Sequence, residues 1–210
     1  MDNSYVQFGC GLCAPLGWRN FDASPTLWIQ KRLALFKLVP VKAGFANFPD
    51  NVEYGDIVKG LPVSPGSLTG VYCSHVLEHL TLQECRSALR NVFSYLRPGG
   101  YFRIVLPDLE YMIQNYVVDP QPDAAHRFIE ATVMGAETPT RGTAARIREA
   151  LGHSQHKWLW DHKSLAKALE DAGFAEIRRA SYGDSPDKKF LEVEDPERWT
   201  NNLGMECRRG

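Results

Sequence analysis

Cysteine is scarce in this chain: only Cys10, Cys13, Cys73, Cys85 and Cys207 occur in 210 residues. An odd, sparse set argues against a disulfide framework and for a reducing compartment, so a cytoplasmic location is expected. Long hydrophobic runs are missing too, and none approaches the roughly 18–20 residues that span a bilayer. The opening MDNSYVQF lacks a basic n-region and an apolar h-region, so no secretory leader is expected. Charge of one sign is also lacking, since 24 Lys and Arg stand against 25 Asp and Glu for a net of −1. A near-neutral chain has no electrostatic hold on nucleic acid or an anionic membrane, and neither is expected as a partner. Repeats and low-complexity tracts are absent. What remains is 44% hydrophobic and 23% charged, ordinary for one medium-sized globular domain over residues 1–210.

Short apolar segments alternate with helical ones. Tyr5–Phe8 and Trp18–Phe21 read as the first two strands, and Leu27–Leu38 as a helix stopped by Pro40. Asn51–Tyr54 and Gly70–Cys73 read as two more strands, separated by the Gly/Pro/Ser-rich loop GLPVSPGSLTG. Thr81 and Glu84 have the spacing of a capping box, and Leu82, Cys85, Leu89, Val92, Phe93 and Leu96 then recur at helical spacing. Pro98-Gly99-Gly100 ends that helix and leads into YFRIVLP, a strand of the kind buried in a parallel sheet. Residues 108–152 read as helical pieces broken at Pro120–Pro122 and near Pro139, a helical insertion or lid over one sheet edge. Asp161 caps a further helix that stops at Gly173, AEIRRASY follows as a strand, and NLGMECRR closes the series. The alternation predicts an α/β fold, its sheet mostly parallel with helices on both faces.

In such sheets ligands gather outside the carboxyl ends of the strands. Those ends carry Gly9–Gly11, Asp22, Asp56, Ser74–His75 and Pro107-Asp108. Gly9 and Gly11 permit a sharp turn and a close backbone approach to a ligand. Asp22, ending the second strand, is placed to accept from both hydroxyls of a ribose. Cys10-x-x-Cys13 has redox spacing, but a redox motif opens a helix, and this one leads into a strand. Zinc would need two further ligands, and no second Cys-x-x-Cys exists. His75, Glu78 and His79 fail the His-Glu-x-x-His pattern, so no metal is expected and Glu78 and His79 read as structural. His156 with Trp158 and Trp160 reads as an aromatic corner, with substrate contact the bolder role, and Arg178 and Arg179 as solvated.

VYCSHVLEHL (71–80) followed by LRPGGYFRIVLPDLE (96–110) resembles class I S-adenosylmethionine-dependent methyltransferases, specifically the type 11 group. FGCGLCAPLGWRNFDAS (8–24) and HKWLWDHKSLAKALEDAGF (156–174) are similar to one of its subgroups. The resemblance implies a single-domain Rossmann-like sheet with an antiparallel last strand, and methyl transfer from S-adenosylmethionine to a small-molecule acceptor. It places Gly9, Cys10 and Gly11 against the methionine part, Asp22 at the ribose, and Asp56 and Ile57 beside the adenine. Ser74 and His75 would stand near the sulfonium, and Asp108 would face the substrate pocket, to which the bolder reading of the aromatic corner adds His156 and Trp158. His75 is the first candidate base, because an imidazole pKa near 6.5 suits proton removal at neutral pH, and Asp108 is the second.

One departure stands out. The family places a helix between its first two strands, whereas only Leu12–Gly17 separate Gly11 from Trp18, so this helix is missing or very short. That gap motivates a second reading, a non-catalytic binding or interaction module with the same sheet. A third, a nicotinamide-dependent oxidoreductase, lacks the full Gly-x-Gly-x-x-Gly, and Pro15 stands in its place.

Overall fold

A computed structural model describes residues 4–35, 47–135 and 155–210. Among these, seven strands form one sheet: β1 (Tyr5–Phe8), β2 (Arg19–Asp22), β3 (Val52–Tyr54), β4 (Leu68–Ser74), β5 (Leu96–Pro107), β6 (Phe174–Ala180) and β7 (Asn202–Arg209). Their spatial order is β3-β2-β1-β4-β5-β7-β6. β1 pairs in parallel with β2 and β4, β2 with β3, and β4 with β5. The last strand inserts between β5 and β6 and runs antiparallel to both. The helices described are α1 (Pro25–Leu35), α2 (Leu82–Tyr95), α3 (Leu109–Val118), α4 (Ala124–Thr132), α5 (His162–Asp171) and α6 (Pro196–Trp199). None is long and apolar enough to cross a membrane.

Local chemistry accounts for most boundaries. The Thr81–Glu84 capping box forms at α2, with Thr81 N donating to the Glu84 carboxylate at 2.8 Å and Glu84 N to Thr81 Oγ1 at 3.3 Å. Asp161 caps α5 in the same reciprocal way with Ser164. The helix expected over Leu27–Leu38 starts at Pro25, while its end and Pro40 lie outside the described residues. So does the expected lid beyond residue 135, of which α3 and α4 are the described pieces. β4 and β5 begin earlier than the apolar pattern indicates, because Leu68 pairs with Leu96 ahead of a bulge.

Strand alternation divides the core between the two faces. Val6, Phe8, Val71, Cys73, Phe102 and Ile104 point to one side, where Cys85, Leu89 and Val92 of α2 and Leu165 and Leu169 of α5 cover them. On the other side α1 buries Leu27 against Val52, Phe48 and Cys10. Farther along that side, Tyr72 and Val105 meet Trp18, Phe190, Val193 and Trp199.

Residues 9–18 contain no helix. Two buried amides in the strands satisfy the backbone of this connection instead. Gln7 Nε2 donates to Cys13 O at 2.7 Å and to Asn20 Oδ1 at 2.6 Å. Asn20 Nδ2 donates to Pro15 O at 3.1 Å and Trp18 O at 3.0 Å. Cover for the sheet comes from residues 181–199, between β6 and β7, through the short 3-10 helix Lys188–Glu192 and α6. Phe190 packs at 5.6 Å from Trp18, which lies 5.2 Å from Tyr5.

Arg103 of β5 anchors this cover from a site with no solvent exposure. Its Nε donates to Glu194, its Nη1 to Asp184 at 2.9 Å and Glu206 at 3.1 Å, and its Nη2 to Ser181 O at 2.6 Å. The guanidinium also lies 4.5 Å from the centre of the Trp199 ring. Trp199 can lie this low only because β7 has Gly204 beneath it, where a Cβ would fall 2.2 Å from Trp199 Cζ3. Arg178, expected to be solvated, joins the network through Asp184 at 2.8 Å and Glu206 at 2.6 Å. Arg179 likewise pairs with Glu110 at 2.9 Å. Burial alone would raise the Asp184 carboxyl, but Arg178, the Ser181 N–H and Arg103 bring it down to about 2. Its stabilisation is therefore full above the ordinary carboxylate range and is lost as pH falls through that value.

Arg103→Met keeps the side chain long but leaves Glu194 buried without its cation and Glu206 with Arg178 alone. Removing one partner of a buried ion pair costs about 3–5 kcal/mol, and urea unfolding of this variant should show a loss of that size. Arg127→Met, which breaks a half-exposed pair with Asp119, should cost less than about 1 kcal/mol.

Candidate functional site

The C-terminal ends of β1 to β4 open onto a cleft of about 590 Å³. Among the residues lining it are Gly9, Gly11, Asp22, Asp56, Ile57, Ser74 and His75, seven of the eight proposed cofactor contacts. Cys10 is not among them.

The Gly9–Gly11 turn explains why. Both glycines take left-handed backbone angles, φ +66° and +54°, and Cys10 N stays tied to Phe21 O at 3.1 Å. They serve different ends. A Cβ on Gly9 would stand 2.2 Å from Val76 Cγ2, whereas one on Gly11 would meet nothing within 4 Å. Gly9 thus lets the loop after β4 close in, and Gly11 leaves open space. Cys10 turns its side chain inward beneath α1. Burial, with the Asp22 charge second, pushes its thiol up to about 12, which removes the thiolate that redox chemistry needs. All five cysteines are free thiols.

Asp22 closes the turn. Its Oδ2 accepts from Gly11 N at 3.0 Å and its Oδ1 from Ser24 N at 2.7 Å. A carboxylate offers about four acceptor positions, so about two remain for a ligand. Asp56 is built alike: Oδ1 accepts from Val58 N at 2.9 Å, and Lys59 Nζ lies 2.9 Å from Oδ2. Ile57 beside it is buried and offers an apolar wall.

At the end of β4, His75 adopts φ +55°, a left-handed conformation uncommon outside glycine and typical of functional positions. His75 N donates to Val105 O at 2.9 Å. Ser74 Oγ lies 3.0 Å from His75 Nδ1, and Arg198 Nη1 donates to the same oxygen at 3.4 Å. The Ser74 hydroxyl thus links the Arg198 guanidinium to the His75 ring. Burial first, then the Arg198 charge, lowers the His75 pKa to about 4. The ring is therefore neutral at neutral pH. Arg198, on α6, lines the cleft but has no spacing signal in the sequence. Only the fold brings it to Ser74.

The remaining expected residues lie elsewhere. Asp108 is buried and caps α3, its Oδ1 accepting from Glu110 N at 2.9 Å, with Arg179 Nη1 3.6 Å from its Oδ2. Trp158 borders a separate cavity of about 310 Å³ between α2 and α5, with Trp160, Arg86 and Arg90. His156 packs edge-on against His79, ring centres 4.9 Å apart, and His79 lines the main cleft. Glu78, adjacent in sequence, is buried, and that burial pushes its carboxyl up to about 7.

The sequence matches the protein family described as "Methyltransferase domain" over residues 13–178, and the chain belongs to that family. Solved structures agree on the fold. A SAM-dependent methyltransferase from Thermotoga maritima is 13% identical, with a TM-score of 0.55 over 100% of this chain and 84% of that one. Another, from Archaeoglobus fulgidus, is 17% identical, with a TM-score of 0.51 over 98% of this chain and 86% of its own. No curated protein matches the sequence. The strand order and these likenesses define a class I methyltransferase fold.

Two measurements check this geometry. An NMR titration should place the His75 imidazole at about 4, and Arg198→Met should raise it, since losing a nearby positive charge favours imidazolium. Gly9→Ala forces a Cβ into Val76 and should lower Tm more than Gly11→Ala, which bears only the left-handed backbone cost of about 1–2 kcal/mol.

Proposed function

We propose that this chain transfers a methyl group from S-adenosylmethionine to a small-molecule acceptor. The observation that carries this reading is the convergence of the Gly9–Gly11 turn, Asp22, Asp56, Ile57, Ser74 and His75 on one cleft. The cleft fits the cofactor in kind: open space at Gly11, spare acceptor positions on Asp22 and an apolar wall at Ile57. When bound, S-adenosylmethionine supplies a methyl group already activated by a positively charged sulfur, so the protein has mainly to align the acceptor. Gly11 would give the methionine part close backbone approach, with Cys10 contributing backbone alone. Asp22 would take the ribose hydroxyls, and Asp56 the exocyclic amine of an adenine resting on Ile57.

His75 is the neutral group nearest the expected transfer. A base with a pKa of about 4 draws a proton weakly at neutral pH, so its role in this reading is to orient the acceptor through a hydrogen bond from its neutral ring. Arg198 offers an exposed guanidinium to an anionic group of either ligand. Of the three residues first assigned to the acceptor, His156 reaches the cleft's edge through His79, while Asp108 and Trp158 serve the frame. The near-neutral charge and the free cysteines support a small-molecule acceptor and a cytoplasmic location.

The missing helix between β1 and β2 favours one other reading, a non-catalytic module, because no helix N-terminus follows the glycine turn. Titration calorimetry with S-adenosylmethionine and its demethylated product tests binding, and a turnover assay then separates the two readings. Saturable heat is expected, weakened about 10- to 100-fold in Asp22→Ala through the lost charge-assisted hydrogen bonds. No heat at millimolar ligand in either protein would overturn the methyltransferase proposal. Binding without turnover across a panel of acceptors would favour the module.

A further inference from the structure

We propose that Glu78, His79 and His156 form a binding site for one divalent transition-metal ion of the zinc class at the edge of the cleft. The inference stands on its own geometry and does not need the methyl-transfer reading. One potential ligand atom from each side chain lies within 4.8 Å of the other two, and this is the only such cluster among the described residues. Two imidazoles and a carboxylate are the donors that suit zinc, and three protein ligands leave a fourth position open.

The hydrogen bonding around the cluster points the same way. Glu78 is 1% exposed, and neither carboxylate oxygen has a hydrogen-bond partner among the described residues. Burying a carboxylate in that state is costly unless a proton or a cation neutralises it. His79 Nδ1 lies 3.2 Å from Gln155 O. A carbonyl can only accept, so Nδ1 carries a proton. Nε2 stands 3.9 Å from Glu78 Oε1. His156 Nδ1 is buried without a partner among the described residues. The His79 ring has one nitrogen held by backbone and the other facing Glu78, an arrangement common in metal-binding histidines.

The backbone fixes the approach of the two segments. Lys157 N and Trp158 N both donate to Glu78 O, at 2.7 and 3.1 Å, and His156 N donates to Val133 O at 3.2 Å. Zinc bonds of about 2.0–2.2 Å hold tetrahedral ligand atoms roughly 3.3–3.5 Å apart, so the side chains must draw together by about an ångström. Because His79 also lines the cleft, the fourth position is within reach of a molecule bound there. The sequence pattern alone concealed the site, since the third ligand comes from a distant segment.

The test uses the full chain, stripped with a chelator and titrated with Zn²⁺ against a chromophoric competitor. One ion per chain is expected, with binding weakened at least about tenfold in Glu78→Gln and in His156→Ala and unchanged in Cys13→Ser. Co²⁺ should give the visible bands of tetrahedral nitrogen and oxygen ligation, without thiolate charge transfer. Circular dichroism establishes that each variant is folded, and if His156→Ala is not, the nearly isosteric Glu78→Gln decides. Absence of stoichiometric binding overturns the proposal. So does binding that survives in the folded variants, or that is lost only in Cys13→Ser.

Discussion

A fully buried guanidinium in the middle of a sheet is tolerable only when every direction around it is answered, and Arg103 imposes that condition on this fold. Its partners come from Glu194, Asp184 and Glu206, from Ser181 O, and from the face of Trp199. All but Glu206 lie between β6 and β7, so answering the charge draws that connection across the sheet. Three carboxylates surround Arg103 and Arg178, and backbone donors take up part of the surplus: Gly183 N meets Glu194 at 3.0 Å and Ser181 N meets Asp184 at 2.9 Å. The network is thus neutralised largely by the segment it holds down. Hydrophobic contact through Phe190, Val193 and Trp199 then supplies the non-directional part of the attachment.

The same attachment shapes the cleft. Asp195 caps α6 and Pro196 begins it, so this short helix has a defined start despite its single turn. Two adjacent side chains of α6 then do different things. Trp199 lies on Arg103 above Gly204, and Arg198 reaches Ser74. A cation at the end of β4 is therefore placed by an ion network centred on β5. The neutrality of His75 follows from that placement together with its burial.

What could be read from the residues was what depends on neighbours in sequence. The capping residues Thr81, Glu84 and Asp161, the apolar alternation of the strands and the glycine turn all act within a few positions. The rim of the cleft was legible because a parallel topology gathers strand ends automatically, whatever the loops do. Long-range pairing was not legible. Arg178 looked solvated because its carboxylates come from residues 184 and 206. Cys10 sat within the right motif, yet which way its side chain turns depends on α1 and Phe48. Asp108 occupied a strand end like the others but went to a helix cap. Gln7 and Asn20 did carry a signal: two amides inside apolar strands flanking a short connection, each needing partners once buried.

The shortened β1–β2 connection changes how negative charge could be handled in the proposed reaction. A helix after the glycine turn would present unpaired N–H groups and about half a positive charge at its start. Here there is no such helix, and the Gly11 N–H is already given to Asp22. The cleft instead receives a whole positive charge from Arg198, carried on a side chain that arrives with the segment covering the sheet. The exchange is physically uneven. A helix dipole is fixed by the backbone, whereas an exposed guanidinium is screened by salt but forms directional, charge-assisted hydrogen bonds. The segment between β6 and β7 thus supplies both cover for the sheet and a charge to the cleft, and the Arg103 network ties these two contributions together.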